Sequence, residues 1–443
     1  MIEQYKASLL HCALYLNRAD KAQKMYLRGG EEAIQGIRDF EQDWPNIQMG
    51  QAWSAHWMER DQEAANLCSL YPESCMHLLN QMSPPELTIR WLDQALLCAK
   101  RQNDWGQEKR IVSFLGLPYL HLGDVPRAIQ FFQEYLKMCV HEKDQLGEAA
   151  ALANLGVAFA ELGEHLKSIQ YYESSLKIQE KAGEKMGQST ILTNLGVGYL
   201  NLGNFAKALE YHQRHLTIAR NVGNLYEEGI AWGNLGVVYY CQGDYSAALE
   251  SHHRNLEIAR QLRNRRSEAN SLLNIGTVQY AQNNYSEALD SFGESLMLFK
   301  ELDDVFGESN VLGNMASVFA DQKELMKAIE FYASAYELAR RSGDRQNIAA
   351  WSGNLGLVYA ELRNYIEAIK LYQEQLDIAK DIGDQYIEGV ALFNLGVAQK
   401  KLGRRKIAER NCVAGLGILK GMGHVDAAKM ERQFSRLFPG HSL

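Results

Sequence analysis

The sequence lacks paired cysteines, an excess of positive charge and long hydrophobic runs, and each absence excludes a class of protein. Its 7 cysteines are an odd number without a Cys-x-x-Cys pair, which argues against a disulfide framework or a zinc site and is typical of a reducing cytoplasm. The formal charge is -8, so we expect no surface for a nucleic-acid backbone. No apolar run approaches the length of a membrane span. We therefore predict a cytoplasmic protein whose partner is neither nucleic acid nor a membrane.

What the chain does contain is a repeat with a constant step of 40 residues, as from 154 to 194. The tripeptide Asn-Leu-Gly or a close variant marks the same position in each period. The asparagines are Asn154, Asn194, Asn234, Asn274, Asn314, Asn354 and Asn394. One step earlier, Phe114 stands in place of asparagine. Self-similarity at a fixed period of this length predicts a solenoid or another repeat architecture.

Each period is predicted to form two helices. In the unit 185–224, apolar residues recur at helical spacing over 188–202 (helix A) and 205–221 (helix B), with a glycine break between them. We expect Gly196 on helix A to face Ala208 on helix B, so that the two backbones approach closely. The residue four positions after the alanine is usually aromatic, here His212, and is expected to fill the seam to the next unit. One hairpin cannot bury its apolar face alone, so the units must stack.

The order Leu-Gly, aromatic, alanine, aromatic resembles the tetratricopeptide pattern from about residue 67 to 424. The resemblance implies an all-α, right-handed superhelical solenoid of antiparallel helix pairs. The common repeat has a period of about 34 residues and a proline near the end of helix B. Here no proline occurs from Arg127 to Phe438, and Gly-Asp pairs such as Gly343-Asp344 are expected to make the turns. HEAT and armadillo repeats have a similar period but do not explain the spacing of the glycine, alanine and aromatic residues.

The chain is predicted to divide into four parts. Residues 1–66 are helical but out of register with the repeat, and Trp44, Trp53 and Trp57 suggest a packed module that covers the first repeat. Residues 67–104 form a degenerate repeat, and 105–424 form eight units of 40 residues. Residues 425–443 are expected to form a capping helix and a frayed tail, because the end of a solenoid must cover its apolar face.

The Asn-Leu-Gly unit resembles the repeats of Pins-type polarity adaptors and, less closely, those of kinesin light chains. In those adaptors an asparagine ladder on helix A contacts the backbone of an extended peptide on the concave surface. The resemblance therefore implies a peptide-binding role for the seven asparagines from Asn154 to Asn394. A carboxamide offers one acceptor and two donors, which matches a peptide unit, and each bond would contribute ~1 kcal/mol net.

A structural role for these asparagines is the alternative, since each could tie helix A to the preceding helix B. The position before the asparagine varies from Ala153 to Phe393 while the asparagine does not, which favours a ligand. Specificity is expected from neighbouring positions on the same surface. Val197 and Val237 lie one helical turn after the asparagine, and Asn270 and Asn310 lie one turn before it.

The N-terminal part resembles another family, the bacterial NB-ARC-type signalling NTPases. Tyr26-Leu27-Arg28-Gly29-Gly30, the stretch from Glu41 to Trp53, and Arg90-Trp91-Leu92 are similar to the region that joins their nucleotide switch to their repeats. The sequence departs from this family because it contains no Gly-x-x-x-x-Gly-Lys-Ser/Thr loop. This resemblance implies a sensor domain that works with an NTPase supplied in trans.

No catalytic or cofactor-binding set can be assembled from the sequence spacing. The histidines at 212, 215, 252 and 253 look like a metal cluster, but His212 and His252 occupy core positions of the repeat, so we predict no metal site. We predict a non-enzymatic scaffold without a cofactor that binds a protein or peptide ligand in a concave groove. The alternative is the sensor domain of an NTPase-based signalling system.

Overall fold

The computed structural model of the protein describes residues 2–28 and 30–439. All the regular elements in this part of the chain are α-helices, which confirms the all-α prediction. They fall into two compact units, Met1–Ile218 and Ala219–Leu443. Gly29 and the end of the predicted tail, residues 440–443, lie outside the described residues.

The first unit contains the N-terminal helices and the first repeats. Its helices are α1 (Ile2–Arg28), α2 (Gly30–Trp57), α3 (Gln62–Met82), α4 (Pro85–Gln102), α5 (Trp105–His121), α6 (Val125–Glu142), α7 (Gln145–Glu161), α8 (His165–Ala182), α9 (Lys185–Asn201) and most of α10 (Phe205–Val222). Helices α3 to α8 each pack on the next one along the chain.

The second unit continues the alternation of A and B helices. Its helices are α11 (Leu225–Gln242), α12 (Tyr245–Gln261), α13 (Arg265–Ala281), α14 (Tyr285–Glu301), α15 (Val305–Asp321), α16 (Leu325–Ser342), α17 (Arg345–Glu361), α18 (Tyr365–Ile382), α19 (Gln385–Lys401), α20 (Arg405–Gly421) and α21 (Asp426–Leu437). Each of them packs on the next, and α11, α13, α15, α17 and α19 also contact one another in sequence. The A helices of this unit therefore lie side by side.

Helices α1 to α4 share a core of large aromatic side chains. The fully buried Tyr71 of α3 donates its hydroxyl hydrogen to the carbonyl oxygen of Cys12 at 2.8 Å. Gly50 of α2 makes room for this ring, because a Cβ there would lie 2.0 Å from the Tyr71 hydroxyl oxygen. Trp44 of α2 packs on Trp91 of α4 with ring centroids 5.7 Å apart. Aromatic contacts thus join the N-terminal module to the degenerate repeat.

Two of the turns from helix B to the next helix A use the Gly-Asp pairs that the sequence suggests, whereas Lys143, Arg263 and Asp303 take the glycine position in others. Gly343 and Gly383 have φ values of 74° and 72°, a left-handed conformation that ends a helix at little cost for glycine. The following Asp344 and Asp384 accept hydrogen bonds from the backbone N–H groups three residues on, at 3.0 and 2.9 Å. Each such N-cap contributes ~1 kcal/mol. One residue pair therefore ends helix B and starts the next helix A.

The aromatic side chain of helix B lies over the glycine of helix A in its own hairpin. A Cβ on Gly276 would lie 2.6 Å from the ring of Phe292, and one on Gly156 would lie 2.5 Å from the ring of Tyr172. From the sequence, we expected these rings only in the seam to the next unit, and Gly196 only against Ala208. In the structure the atoms nearest to a Cβ at Gly196 are those of the His212 ring. In these hairpins the ring occupies the space of the missing Cβ, whereas Ala316 takes the glycine position in the hairpin of Tyr332.

We expect Gly276→Ala to lower the free energy of unfolding by about 1–3 kcal/mol, because the added methyl group overpacks the Phe292 ring. Gly293→Ala on α14 is the matched control, since nothing lies within 4 Å of its Cβ position. There alanine should stabilise the helix by up to about 1 kcal/mol. Thermal unfolding followed by circular dichroism would compare the two, and equal melting temperatures would contradict the close packing.

The last helix, α21, covers the end of the second unit. The sequence predicts an amphipathic helix over 424–437, and α21 spans Asp426–Leu437. It packs on α19 and α20, and Phe434 and Phe438 are buried beside Phe393 and Cys412. These contacts remove from water the apolar side of the final hairpin.

Candidate functional site

The seven asparagines occupy equivalent positions on the A helices, and we call the five in the second unit, from Asn234 to Asn394, the asparagine row. Asn234 is the tenth residue of α11, Asn274 is the tenth of α13, and Asn314, Asn354 and Asn394 repeat this position on α15, α17 and α19. Because those helices contact one another in sequence, the second unit brings five carboxamides onto one face. In the first unit, Asn154 and Asn194 hold the same position on α7 and α9.

All seven asparagine side chains are half-buried, and their polar groups are free of other protein groups. Among the described residues, none of the seven carboxamides is hydrogen-bonded within the protein. The structural alternative, in which each asparagine ties helix A to the preceding helix B, requires such bonds. The row instead presents donors and acceptors that are open to water or to a ligand.

The four flanking residues of the predicted site differ in their surroundings. Asn270 is exposed, whereas Asn310 accepts a hydrogen bond from the Asn347 side chain at 3.0 Å. Val197 is 41% exposed on α9, and Val237 is half-buried on α11. Asn310 is therefore already engaged by the protein, while the other three can contact a ligand.

A cavity of about 240 Å³ opens between α11, α12 and α13 in the second unit. It brings together four of the predicted site residues, Asn234, Asn270, Asn274 and Val237. The other lining residues are Tyr226, Gly229, Ile230, Gly233, Asn255, Ile258, Ala259, Leu262, Asn264 and Ser267. The lining thus combines carboxamides with aliphatic side chains and contains no charged group.

Two glycines of α11 open this cavity. A Cβ on Gly233 would lie 2.9 Å from the amide nitrogen of Asn255, and one on Gly229 would lie 3.2 Å from its amide oxygen. One repeat later, the positions of Gly229 and Gly233 carry Ala269 and Leu273. The site residue that sequence reasoning missed is Asn255, which lies on helix B; the pair of glycines four residues apart was the available signal.

The sequence of this array matches the tetratricopeptide repeat model. The match covers six windows, 107–181, 147–221, 187–250, 227–301, 307–362 and 347–411. The chain belongs to the tetratricopeptide repeat family. The tetratricopeptide resemblance stated from the sequence is thus confirmed. A search of the curated proteins finds no significant match.

Several solved structures share the fold at low sequence identity. A signal transduction ATPase with a tetratricopeptide repeat sensor from Pyrococcus horikoshii is 17% identical, with a TM-score of 0.54 over 85% of this chain and 55% of that chain. A Rap protein complexed with competence and sporulation factor is 15% identical, with a TM-score of 0.54 over 85% and 99%. The apo quorum sensor NprR from B. thuringiensis is 15% identical, with a TM-score of 0.51 over 75% and 97%. This chain spans about half the length of the ATPase.

Of the four clustered histidines of this tetratricopeptide array, His212, His215 and His252 are buried and His253 is exposed. His212 and His252 are each 1% exposed, against Gly196 and Gly236 of their own hairpins. Burial lowers the pKa of each to about 4, so both are neutral at pH 7. No group of three histidine, cysteine or acidic residues that could hold a metal ion is found in the described part of the chain. Nor is any helix there long and apolar enough to cross a membrane.

Proposed function

We propose that this tetratricopeptide array is a non-enzymatic scaffold that binds an extended polypeptide segment along the asparagine row. The observation that carries the proposal is the set of half-buried carboxamides without a protein partner. On the A-helix face of the second unit, five of them stand at equivalent positions on neighbouring helices. A row of identical donor and acceptor groups suits a ligand that repeats its own donors and acceptors, and a polypeptide backbone does so.

Each asparagine of the row contributes little to the binding free energy, so several of them must bind the ligand together. A single hydrogen bond contributes ~1 kcal/mol net. Five asparagines with one bond each would approach the binding free energy of a micromolar complex, which is about 8 kcal/mol, once side-chain contacts are added. The solved Rap protein complexed with competence and sporulation factor has a similar fold, which supports a protein or peptide ligand for this chain.

A second candidate is a sensor that regulates an NTPase in trans. It is favoured by the fold similarity to the signal transduction ATPase that carries a tetratricopeptide repeat sensor, which extends over 85% of this chain. The two candidates differ in their ligand, because a scaffold of the proposed kind binds short unstructured peptides, whereas a sensor of folded proteins does not. Selection from a library of random peptides therefore separates them.

Cys241 provides a reporter for the scaffold proposal. It is exposed on α11, one turn beyond Val237 on the side of Asn234, while the six other cysteines are buried. We expect the selected peptides, at saturation, to slow alkylation of Cys241 several-fold. A scrambled peptide of the same composition is the control. Enrichment of no peptide at all, or tight binding that leaves the alkylation rate unchanged, would overturn binding along the row.

A further inference from the structure

The cavity between α11, α12 and α13 differs from the equivalent space in neighbouring repeats. In two other repeats a serine occupies the position of Asn255, and its hydroxyl group is hydrogen-bonded within the protein. Ser175 donates to the carbonyl oxygen of Ala149 at 2.7 Å, and Ser295 donates to that of Ala269 at 2.8 Å. Among the described residues, the carboxamide of Asn255 is bonded to no protein group. In the repeat of Asn255, a carboxamide without a protein hydrogen bond therefore stands where the other two repeats have a hydrogen-bonded hydroxyl group.

The chemistry of the lining selects an uncharged polar group. Asn234, Asn255, Asn270 and Asn274 supply both donors and acceptors. A carboxylate or ammonium group in the cavity would lose water without meeting an opposite charge, which is unfavourable. A purely aliphatic group would leave the carboxamides without partners. A side chain with an aliphatic stem and a carboxamide tip can pack on the aliphatic residues of the lining and hydrogen-bond to its asparagines.

The chain itself shows that a carboxamide side chain fits such a space. Three repeats later, Gly353 and Gln375 occupy the positions of Gly233 and Asn255. The Gln375 side chain covers that glycine, with its amide nitrogen 2.2 Å from the Cβ position, and is only 6% exposed. Asn255 is one methylene group shorter and half-buried, and an open cavity remains beside it.

We propose that this cavity binds the side chain of one glutamine or asparagine residue of the bound segment and thereby fixes its register along the asparagine row. This inference rests on the proposed function. The row itself would bind a backbone of any sequence, because every peptide unit offers the same N–H donor and C=O acceptor. Register and sequence preference must therefore come from a local feature of one repeat. Two asparagines of the row, Asn234 and Asn274, line the cavity.

The test uses capped amino acids and two variants. Binding of N-acetylglutamine methylamide, N-acetylglutamate methylamide and N-acetylnorleucine methylamide to the full chain would be measured by ligand-detected NMR at millimolar concentrations. Gly233→Leu fills the cavity with the residue found at position 273, and Asn255→Ser introduces the residue found at 175 and 295. Gly293→Ala, in open space on α14, is the control.

We expect the glutamine derivative to bind the wild type and the control roughly tenfold more tightly than the other two derivatives, because only it satisfies the carboxamides. Both cavity variants should lose this preference while keeping their helicity. Equal binding of the three derivatives, preference for glutamate, absence of binding, or an unchanged preference in Gly233→Leu would each overturn the proposal.

The outcome separates this inference from the proposed function. If library peptides protect Cys241 but the glutamine derivative shows no preference, the scaffold stands and the carboxamide pocket fails. If the glutamine derivative binds as expected but no peptide protects Cys241, the cavity is a carboxamide site while binding along the row fails.

Discussion

Replacement of Asn234, Asn274 and Asn314 by alanine is expected to weaken the binding of a selected peptide by about two orders of magnitude. The three carboxamides belong to the asparagine row and lie on neighbouring helices α11, α13 and α15. If each loses one net hydrogen bond of ~1 kcal/mol, the sum is about 3 kcal/mol, or roughly a hundredfold in affinity. Calorimetric titration of the peptide into the wild type and the triple variant would measure this.

The same triple variant should be at least as stable as the wild type. Its asparagines are bonded to no protein group among the described residues, so their removal breaks no internal contact. Alanine also has the higher helix propensity, by up to about 0.7 kcal/mol per residue. The matched control is Asn221→Ala, an exposed asparagine of α10 outside the row, which should leave binding unchanged. A lower melting temperature with intact binding would instead mark the row as structural.

The period and the residue classes were enough to predict the fold. The step of 40 residues fixes where each hairpin begins, and Gly-Asp pairs mark the turns because glycine adopts positive φ and aspartate caps a helix. For helix A of the unit 185–224, the sequence predicts 188–202 and the structure gives Lys185–Asn201. The shift of up to three residues arises because the first turn of a helix carries little of the apolar pattern.

The cavity could not be found from the same pattern. Variation at the position before the asparagine, from Ala153 to Phe393, suggests a position without constraint. In two repeats this residue faces helix B of its own hairpin, where Gly233 meets Asn255 and Gly353 meets Gln375, whereas Gly313 faces the Trp351 ring of the next helix A. The variation therefore changes the shape of each repeat locally. A periodic pattern identifies what the repeats share, whereas a specific pocket depends on where one repeat departs from the others.

The two histidines that replace aromatic residues on the B helices are expected to make folding stability depend on pH. Burial, and to a smaller extent the nearby charge of His215, together lower the pKa of His212 to about 4. Burial and the charge of His253 act in the same way on His252, whose pKa is also about 4. The ring nitrogen Nδ1 of both residues is buried without a hydrogen bond within the described residues. Both rings must therefore stay neutral for the core to pack.

The sign of the effect follows from proton linkage. In the unfolded chain a histidine binds a proton below a pH of about 6.5, whereas in the folded chain His212 and His252 bind one only below about 4. Stability is therefore constant above pH 6.5 and falls as the pH drops from 6.5 towards 4. At pH 5 the loss is about 2 kcal/mol per histidine, or about 4 kcal/mol for the pair.

His212→Phe with His252→Phe should remove most of this dependence. Phenylalanine already occupies the same position as Phe132 and Phe292, where its ring covers the glycine of the hairpin. The double variant should also be more stable at pH 7, because it no longer buries two unpartnered nitrogen atoms, each of which costs about 1–3 kcal/mol. Urea unfolding at pH 7 and pH 5 would compare the two proteins, and Phe292→His is the reciprocal variant that should introduce the dependence. If the wild type and the double variant lost the same stability between these pH values, other groups would control the acid sensitivity, and the two histidines would have to be charged or hydrated in the folded chain.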